Sequence, residues 1–272
     1  LLSPQSIKGH ATFPASDRFP SSKQSMERRV ALITGGVRGI GRAVAMRLAR
    51  DGWAIAICYR TSQDAAQQTV KAIQDIQSPD HHIIAVQCDV SDSDSAKALV
   101  GRVQGTWKRL DALINCAGPY HRVPIIQETV EGWDAMFQNN LHPVFYLSRE
   151  IAEGMKERRW GRIINFSMAN ADQMIAQTHV TAHYIAKAGV LILTRSLAKA
   201  LGPYGITVNA ISPGFIDSGS ASPDELSTVV KQIPAGYIGD VNDTVSAVTF
   251  LLSDEARYVN GSNIHVSGGW GI

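Results

Sequence analysis

The chain is poor in several things at once. Among 272 residues there are only three cysteines, 7% aromatic residues and a formal net charge of +2. Cys58, Cys88 and Cys116 are odd in number and widely spaced, and each falls at or near the end of an expected strand, which fits buried thiols in a reducing cytosol. Metal ligation needs close pairs or a histidine cluster. Neither His81-His82 nor the scattered remainder offers a set, so no metal site is expected. A charge this close to balance gives no reason to expect a nucleic acid or a membrane surface as partner, and small neutral or anionic ligands fit better. No run is long or apolar enough to span a bilayer. No internal linker rich in Pro, Gly or Ser divides the chain, and a hydrophobic fraction of 44% supports one sizeable core.

Residues 1–27 differ from the rest. They are rich in Ser and Pro, without periodic apolar pattern or secretory core, and read as a disordered extension ahead of a single domain at 28–272. Because Met26 immediately precedes the first expected strand, the segment reads as an upstream translated or expression-derived extension, with a transit peptide as the alternative.

What the chain does have begins at Val30-Ala31-Leu32-Ile33-Thr34-Gly35-Gly36-Val37-Arg38-Gly39-Ile40-Gly41, an apolar run that breaks into glycines and resumes with helical spacing. The pattern predicts a strand, a tight turn and a helix N-terminus. Glycines allow a close backbone approach, and the free N–H groups and positive dipole end of the helix favour a diphosphate. Leu48 to Gly52 closes that helix and Trp53 to Cys58 supplies a second buried strand, completing a βαβ unit suited to a dinucleotide.

The alternation continues. Helices are expected over Gln63–Ile76, Asp94–Trp107, Val130–Arg158 (broken only mildly by Pro143), Thr181–Leu201 and Val241–Leu252. Strands are expected over His82–Gln87, Asp111–Asn115, Gly161–Phe166, Ile206–Ile211 and Asn263–Val266. This implies an α/β Rossmann fold, a doubly wound parallel sheet of about seven strands with helices on both faces. Ligands of such sheets bind at the carboxyl ends of the strands. Asp89, after one strand, either accepts from an adenine amino group or forms a turn. Asn115, after another, either ties adjacent strands through its side chain or belongs to a plain turn.

Thr34 to Gly41, Asn115-Cys116-Ala117-Gly118 and Pro213-Gly214 together resemble the marks of the short-chain dehydrogenase/reductase family. The segments Ile233 to Gly239, Phe250 to Asp254 and Val266 to Gly269 resemble it too, in the same order along the chain. The resemblance implies a nicotinamide cofactor held by Gly35, Val37, Arg38, Gly39, Ile40 and Gly41 at the turn and by Tyr59, Arg60, Asp89 and Val90 at the adenosine end. At the nicotinamide end it implies Asn115, Ala117, Gly118, Lys187, Pro213, Gly214, Ile216 and Ser218. No acid follows the second strand until Asp64, while Arg38 and Arg60 are placed to reach a 2′-phosphate, so NADP(H) is the expected cofactor.

The catalytic positions depart from the family. Lys187, followed by Ala188-Gly189-Val190, matches the family's ribose-binding lysine, and Asn140 its helix asparagine. Four residues before the lysine, where the family has its tyrosine acid, stands His183, with Tyr184 one residue nearer. On a helix these lie about 40° and about 60° from Lys187, on opposite sides, so either can face the cofactor. The family's serine position falls on Met168, which cannot donate a hydrogen bond to a carbonyl. Ser167 would need a twist or bulge to replace it, and Asn170, Asp172, Thr178 and Thr181 are alternative donors.

The expectation is therefore an NADPH-dependent oxidoreductase acting on a small carbonyl or alcohol, with Asn140, Ser167, His183, Tyr184 and Lys187 as catalytic candidates. The protein would be cytoplasmic and homo-oligomeric, a tetramer or dimer. The competing expectation is a dinucleotide-binding sensor or assembly subunit without turnover, motivated by the joint loss of serine and aligned tyrosine.

Overall fold

The computed structural model describes residues 28–77, 82–217 and 229–272. Ser218 and the expected extension over residues 1–27 lie outside the described residues. Seven strands, β1 (Val30–Thr34), β2 (Ala54–Tyr59), β3 (Ile83–Gln87), β4 (Ala112–Asn115), β5 (Gly161–Phe166), β6 (Ile206–Pro213) and β9 (Asn263–Val266), form one parallel sheet in the order β3-β2-β1-β4-β5-β6-β9. Every residue of β1, β4 and β5 is buried, as expected of central parallel strands covered on both faces.

The two-residue period of a strand divides the core. Ala31 and Ile33 face one layer, with Val44 and Leu48 of α1 (Gly39–Arg50), Ile73 of α2 (Gln63–Ile76) and Val248 and Leu251 of α7 (Val241–Leu252). Val30 and Leu32 face the other, with Leu99 and Val103 of α3 (Ser93–Trp107), Leu147 and Ile151 of α5 (His142–Arg158) and Ala198 of α6 (Thr181–Leu201).

The single long helix expected over Val130–Arg158 is two. α4 (Val130–Asn140) ends at Leu141, which also caps α5, because Pro143 has no N–H to continue the ladder. Strand β6 runs on to Pro213, two residues past its expected end. A short parallel pair, β7 (Ile216–Asp217) and β8 (Gly239–Asp240), was not foreseen. No helix among the described residues is long and apolar enough to cross a membrane.

Sequence order reverses between β1 and β4, so the loops leaving their carboxyl ends diverge and open a cleft. The opposite edge of the sheet is closed. There the guanidinium groups of Arg29 and Arg162 lie 4.2 and 4.4 Å from the Trp160 ring centroid, and Asp254 pairs with both.

Candidate active site

The glycine turn forms the floor of the cleft. Gly35 and Gly39 have φ of +65° and +50°, which side-chain-bearing residues rarely adopt. A Cβ on Gly35 would lie 3.2 Å from the Ala117 Cα, and one on Gly41 only 2.4 Å from the Gly35 carbonyl oxygen. Val37 is buried in the core and Ile40 packs against it. Arg38 occupies the N-cap of α1 in extended conformation and gives no side-chain cap, so the first amides of the helix are not satisfied by its side chain. A bare glycine cradle at an uncapped helix N-terminus fits a dinucleotide diphosphate.

Thr34 and Asn115 brace the neighbouring strand ends. The Thr34 hydroxyl accepts from the amides of Cys116 and Ala117 at 3.1 and 3.0 Å. Asn115 Nδ2 donates to Asn165 Oδ1 at 2.9 Å, and Asn165 Nδ2 donates to Thr194 Oγ1 at 2.9 Å, so Asn115 does tie adjacent strands. At the other end of the nicotinamide side, Gly214 donates to the Val266 carbonyl, and a Cβ on it would meet Ser267 at 2.8 Å. Pro213 accepts from Ala169, and Ile216 sits half-buried in β7.

At the adenosine end Tyr59 is half-buried, Val90 is buried and Arg60 is exposed. Arg60 Nη1 donates to Asn139 Oδ1 at 3.1 Å and stands 3.9 Å from Asp89 Oδ2. Asp89 Oδ1 accepts from both the amide and the hydroxyl of Ser91, at 3.0 and 2.7 Å, so the turn-forming alternative is realised. The helix cap itself is Asp92, accepting from Ser95. Hydrogen bonds from Ser91 hold the Asp89 carboxyl below its usual range.

The catalytic candidates gather at the start of α6 and the end of α4. Lys187 is buried, and Nζ donates to the Phe166 carbonyl at 2.9 Å; burial lowers its pKa to about 8. Asn140 Nδ2 donates to the carbonyls of Pro119 and Met136, while Oδ1 is buried without a partner. A Cβ on Gly118 would lie 2.4 Å from that Oδ1 and 3.4 Å from Lys187 Nζ, so only a glycine leaves space beside both groups.

His183 is buried against Tyr120, edge to face with centroids 5.2 Å apart, and its Nδ1 has no partner. Burial, with Lys187 and His121 nearby, lowers its pKa to about 3, and only the Pro119 carbonyl favours the charged form. The imidazole is therefore neutral at neutral pH. Between pH about 3 and the ordinary 6.5 the unfolded chain binds a proton here that the folded chain does not, so stability falls as pH drops through that window. His183→Asn should flatten this acid limb in urea denaturation at a series of pH values. An unchanged slope would mean the imidazole is solvated.

Two expected catalytic groups are committed elsewhere. Tyr184 donates its hydroxyl proton to the Asn170 carbonyl at 2.7 Å and accepts from the Ile175 amide at 3.1 Å, so its hydroxyl stitches the loop after β5. Ser167 undergoes no bulge toward the cleft. Its hydroxyl donates to the Lys187 carbonyl at 2.9 Å and supports the turn of α6 that carries the lysine. Met168 packs against Ala171, Leu191 and Ala210. Among the alternative donors, Asp172 is paired with His265 and Asn263, Thr178 with His179, and Thr181 with the Gln177 carbonyl.

The loop between β4 and α4 holds a further carboxylate that no motif in the sequence marks. Glu128 pairs with His121 at 2.7 Å because the loop after β4 folds back through a short 3₁₀ turn, Ile125–Gln127. No local periodicity signals a contact across seven irregular residues.

Comparison with known proteins agrees with this geometry. A family model described as "Enoyl-(Acyl carrier protein) reductase" matches residues 35–271. The chain is similar to the 3-oxoacyl-[acyl-carrier-protein] reductase FabG of Staphylococcus aureus, 38% identical over 248 residues covering 88% of this chain and 96% of the relative. It is similar also to FabG of Vibrio cholerae, 37% identical over 254 residues covering 90% and 98%. Among solved structures, levodione reductase superposes with a TM-score of 0.82 at 29% identity, covering 89% of this chain and 96% of that one. The sheet order, the glycine cradle, the buried lysine and these likenesses place the chain in the short-chain dehydrogenase/reductase family, as an NAD(P)-dependent oxidoreductase of carbonyl or alcohol groups.

Proposed function

We propose that the protein is an NADPH-dependent reductase of carbonyl compounds, with 3-oxoacyl thioesters the first class to test because the relatives above are named for them. The observation that carries this reading is the buried Lys187 ammonium with two buried, unpartnered polar atoms near it, Asn140 Oδ1 beside Gly118 and His183 Nδ1. Buried polar atoms without partners are costly, so such a cluster is suited to hydroxyl and carbonyl groups that arrive with ligands.

When bound, the nicotinamide supplies hydride; the protein supplies position and electrostatics. Gly35, Gly39 and Gly41 with Arg38 would hold the diphosphate. Arg38 and Arg60 would meet the 2′-phosphate, and Tyr59, Asp89 and Val90 would frame the adenosine. Asn115, Ala117, Gly118, Pro213, Gly214 and Ile216 would form the nicotinamide wall, with Ser218 assigned there by family likeness alone. Lys187 would bind the ribose hydroxyls and raise the local positive potential, with Asn140 beside it. Neutral His183, its one N–H turned to the Pro119 carbonyl, would accept a hydrogen bond at Nδ1 from an arriving hydroxyl. Ser167 and Tyr184 would act by positioning α6 and its neighbouring loop. Exposed Ile126 in the 3₁₀ turn, Val130 at the start of α4 and Met174 in the loop after β5 would suit an apolar substrate body.

NADPH oxidation over a panel of 3-oxoacyl thioesters, cyclic ketones, quinones and pterins tests the proposal. Turnover with at least one class is expected, and tight NADPH binding without any turnover would favour the sensor or assembly-subunit reading instead. That second reading draws on Met168 and on the engaged Tyr184 hydroxyl. Tyr184→Phe sharpens the test. Losing two hydrogen bonds to the loop should destabilise the fold by about 1–3 kcal/mol, with turnover reduced only a few-fold. A loss in the range of about 10²–10⁴, typical of removing a general acid, would make Tyr184 the donor after all.

We also propose a cytoplasmic homo-oligomer. Phe145 and Ile192, 45% and 61% exposed, flank an apolar groove of about 520 Å³ between α5 and α6 that a second copy would cover.

A further inference from the structure

Reduction of a carbonyl requires one proton on the nascent oxygen, and on the reductase reading above, on which this inference rests, the family's tyrosine is missing from its register. Tyr184 has both hydrogen-bonding capacities of its hydroxyl in use. Neutral His183 has one N–H, turned to the Pro119 carbonyl, and surrendering that proton would leave an imidazolate in a buried site. Lys187 lies deep, tied to the Phe166 carbonyl. The proton must come from a group that reaches both the site and solvent.

We propose that His121, oriented by Glu128, is the proton donor to the substrate oxygen. The His121 side chain is 30% exposed and Glu128 only 9%, with Nε2 and Oε2 2.7 Å apart. A carboxylate this buried, committed to one imidazole, is not a solvated surface pair. Room for it is made by Gly132, where a Cβ would lie 2.4 Å from Glu128 Oε1, and it sits one residue before the N-cap of α4, where the helix dipole favours negative charge. The loop is fixed against the segment preceding α6 by Val123 donating to the His179 carbonyl at 2.7 Å and Ile125 to the Thr178 carbonyl at 2.9 Å. Tyr120, next in the chain, lies against His183, and His121 is close enough to disfavour positive charge on it.

The groups that bear on His121 are Glu128 from its own loop and His183 from α6. In the step, an N–H bond of the His121 imidazolium breaks and an O–H bond forms on the substrate oxygen. The nitrogen keeps the electron pair, the nicotinamide hydride brings the pair for the new C–H bond, and solvent returns the proton. With Nε2 held by Glu128, Nδ1 is the nitrogen left to pass it on. Glu128 is a positioning residue that fixes the imidazole by its contact with Nε2.

The test compares the parent, His121→Ala and Glu128→Gln in NADPH oxidation across pH. His121→Ala should lose about 10²- to 10⁴-fold in kcat with the KM for NADPH unchanged, and free imidazole in the buffer should restore part of the loss. Glu128→Gln should lower kcat several-fold with the KM for NADPH unchanged, because the imidazole has lost the carboxylate that orients it, and Glu128→Asp should recover part of the loss. Parental kcat and pH profile in His121→Ala would overturn the inference and pass the role to Lys187. If that variant fails to fold, a parental kcat in Glu128→Gln overturns it equally. A parent without turnover on any substrate sinks the reductase reading and this inference with it, whereas an active parent with an indifferent His121 sinks only the latter.

Discussion

Lys187→Met should abolish most NADPH-dependent turnover and yet yield a more stable ligand-free protein at neutral pH. The lysine is buried beneath the cleft and its ammonium has one protein hydrogen bond, to the Phe166 carbonyl. Burial has lowered its pKa from 10.5 to about 8. Below pH about 8 the folded and unfolded chains both carry the proton, and the folded state bears the full cost of a desolvated charge. Between about 8 and 10.5 the unfolded chain holds more protons than the folded one, so stability rises with pH across that window and is level above it. A shift of this size corresponds to roughly 3 kcal/mol. Methionine, of similar length and without charge, removes the cost but leaves the Phe166 carbonyl without its donor, so a net gain of about 1–2 kcal/mol is expected. Urea denaturation of parent and variant at neutral and alkaline pH measures both effects. The parent should gain stability with pH and the variant should not, while kcat falls by about 10²-fold or more. A variant less stable at neutral pH would mean that the ammonium is solvated through the cleft. The expected gain in stability would instead make the site a place where stability is given up for function.

How much of this was legible beforehand depends on whether the cause is local. The glycine turn and the strand ends were readable because a diphosphate cradle is built from consecutive residues, Gly35 to Gly41, and because central parallel strands such as Val30–Thr34 are apolar throughout. The bounds of α2, α6 and α7 were recovered from apolar periodicity alone. The break at Leu141 was underestimated because a proline at the second position of a new helix is as comfortable as one inside a helix is disruptive, and pattern alone does not separate the two. Helical angle put Tyr184 and His183 equally near Lys187. The loop after β5 decided between them, since its Asn170 and Ile175 backbone groups take up the Tyr184 hydroxyl. That contact joins residues through an irregular segment with no period to read. The His121–Glu128 pair was out of reach for the same reason.

Gly41→Ala should weaken NADPH binding by at least about 10-fold, although alanine is the better helix former. Gly41 lies in the first turn of α1, where propensity alone would favour alanine by about 1 kcal/mol. The added Cβ would stand 2.4 Å from the Gly35 carbonyl oxygen and 3.0 Å from its carbon, both backbone atoms in the turn itself. A flexible side chain could swing aside; a backbone carbonyl in a left-handed residue can move only by re-forming the turn. The helix N-terminus would be pushed away from the glycines, which separates the amide donors that must converge on one diphosphate. A built-in comparison exists at Gly101, inside α3, where a Cβ would meet nothing within 4 Å. Gly101→Ala should therefore stabilise the protein by about 0.5–1 kcal/mol with no change in cofactor affinity. Gly41→Ala should instead lose about 1–3 kcal/mol by overpacking. Fluorescence titration with NADPH and urea denaturation of the three proteins separate the two effects. Equal affinity in Gly41→Ala and the parent would mean the diphosphate does not rest on this turn, and the cofactor would have to be sought elsewhere on the sheet edge.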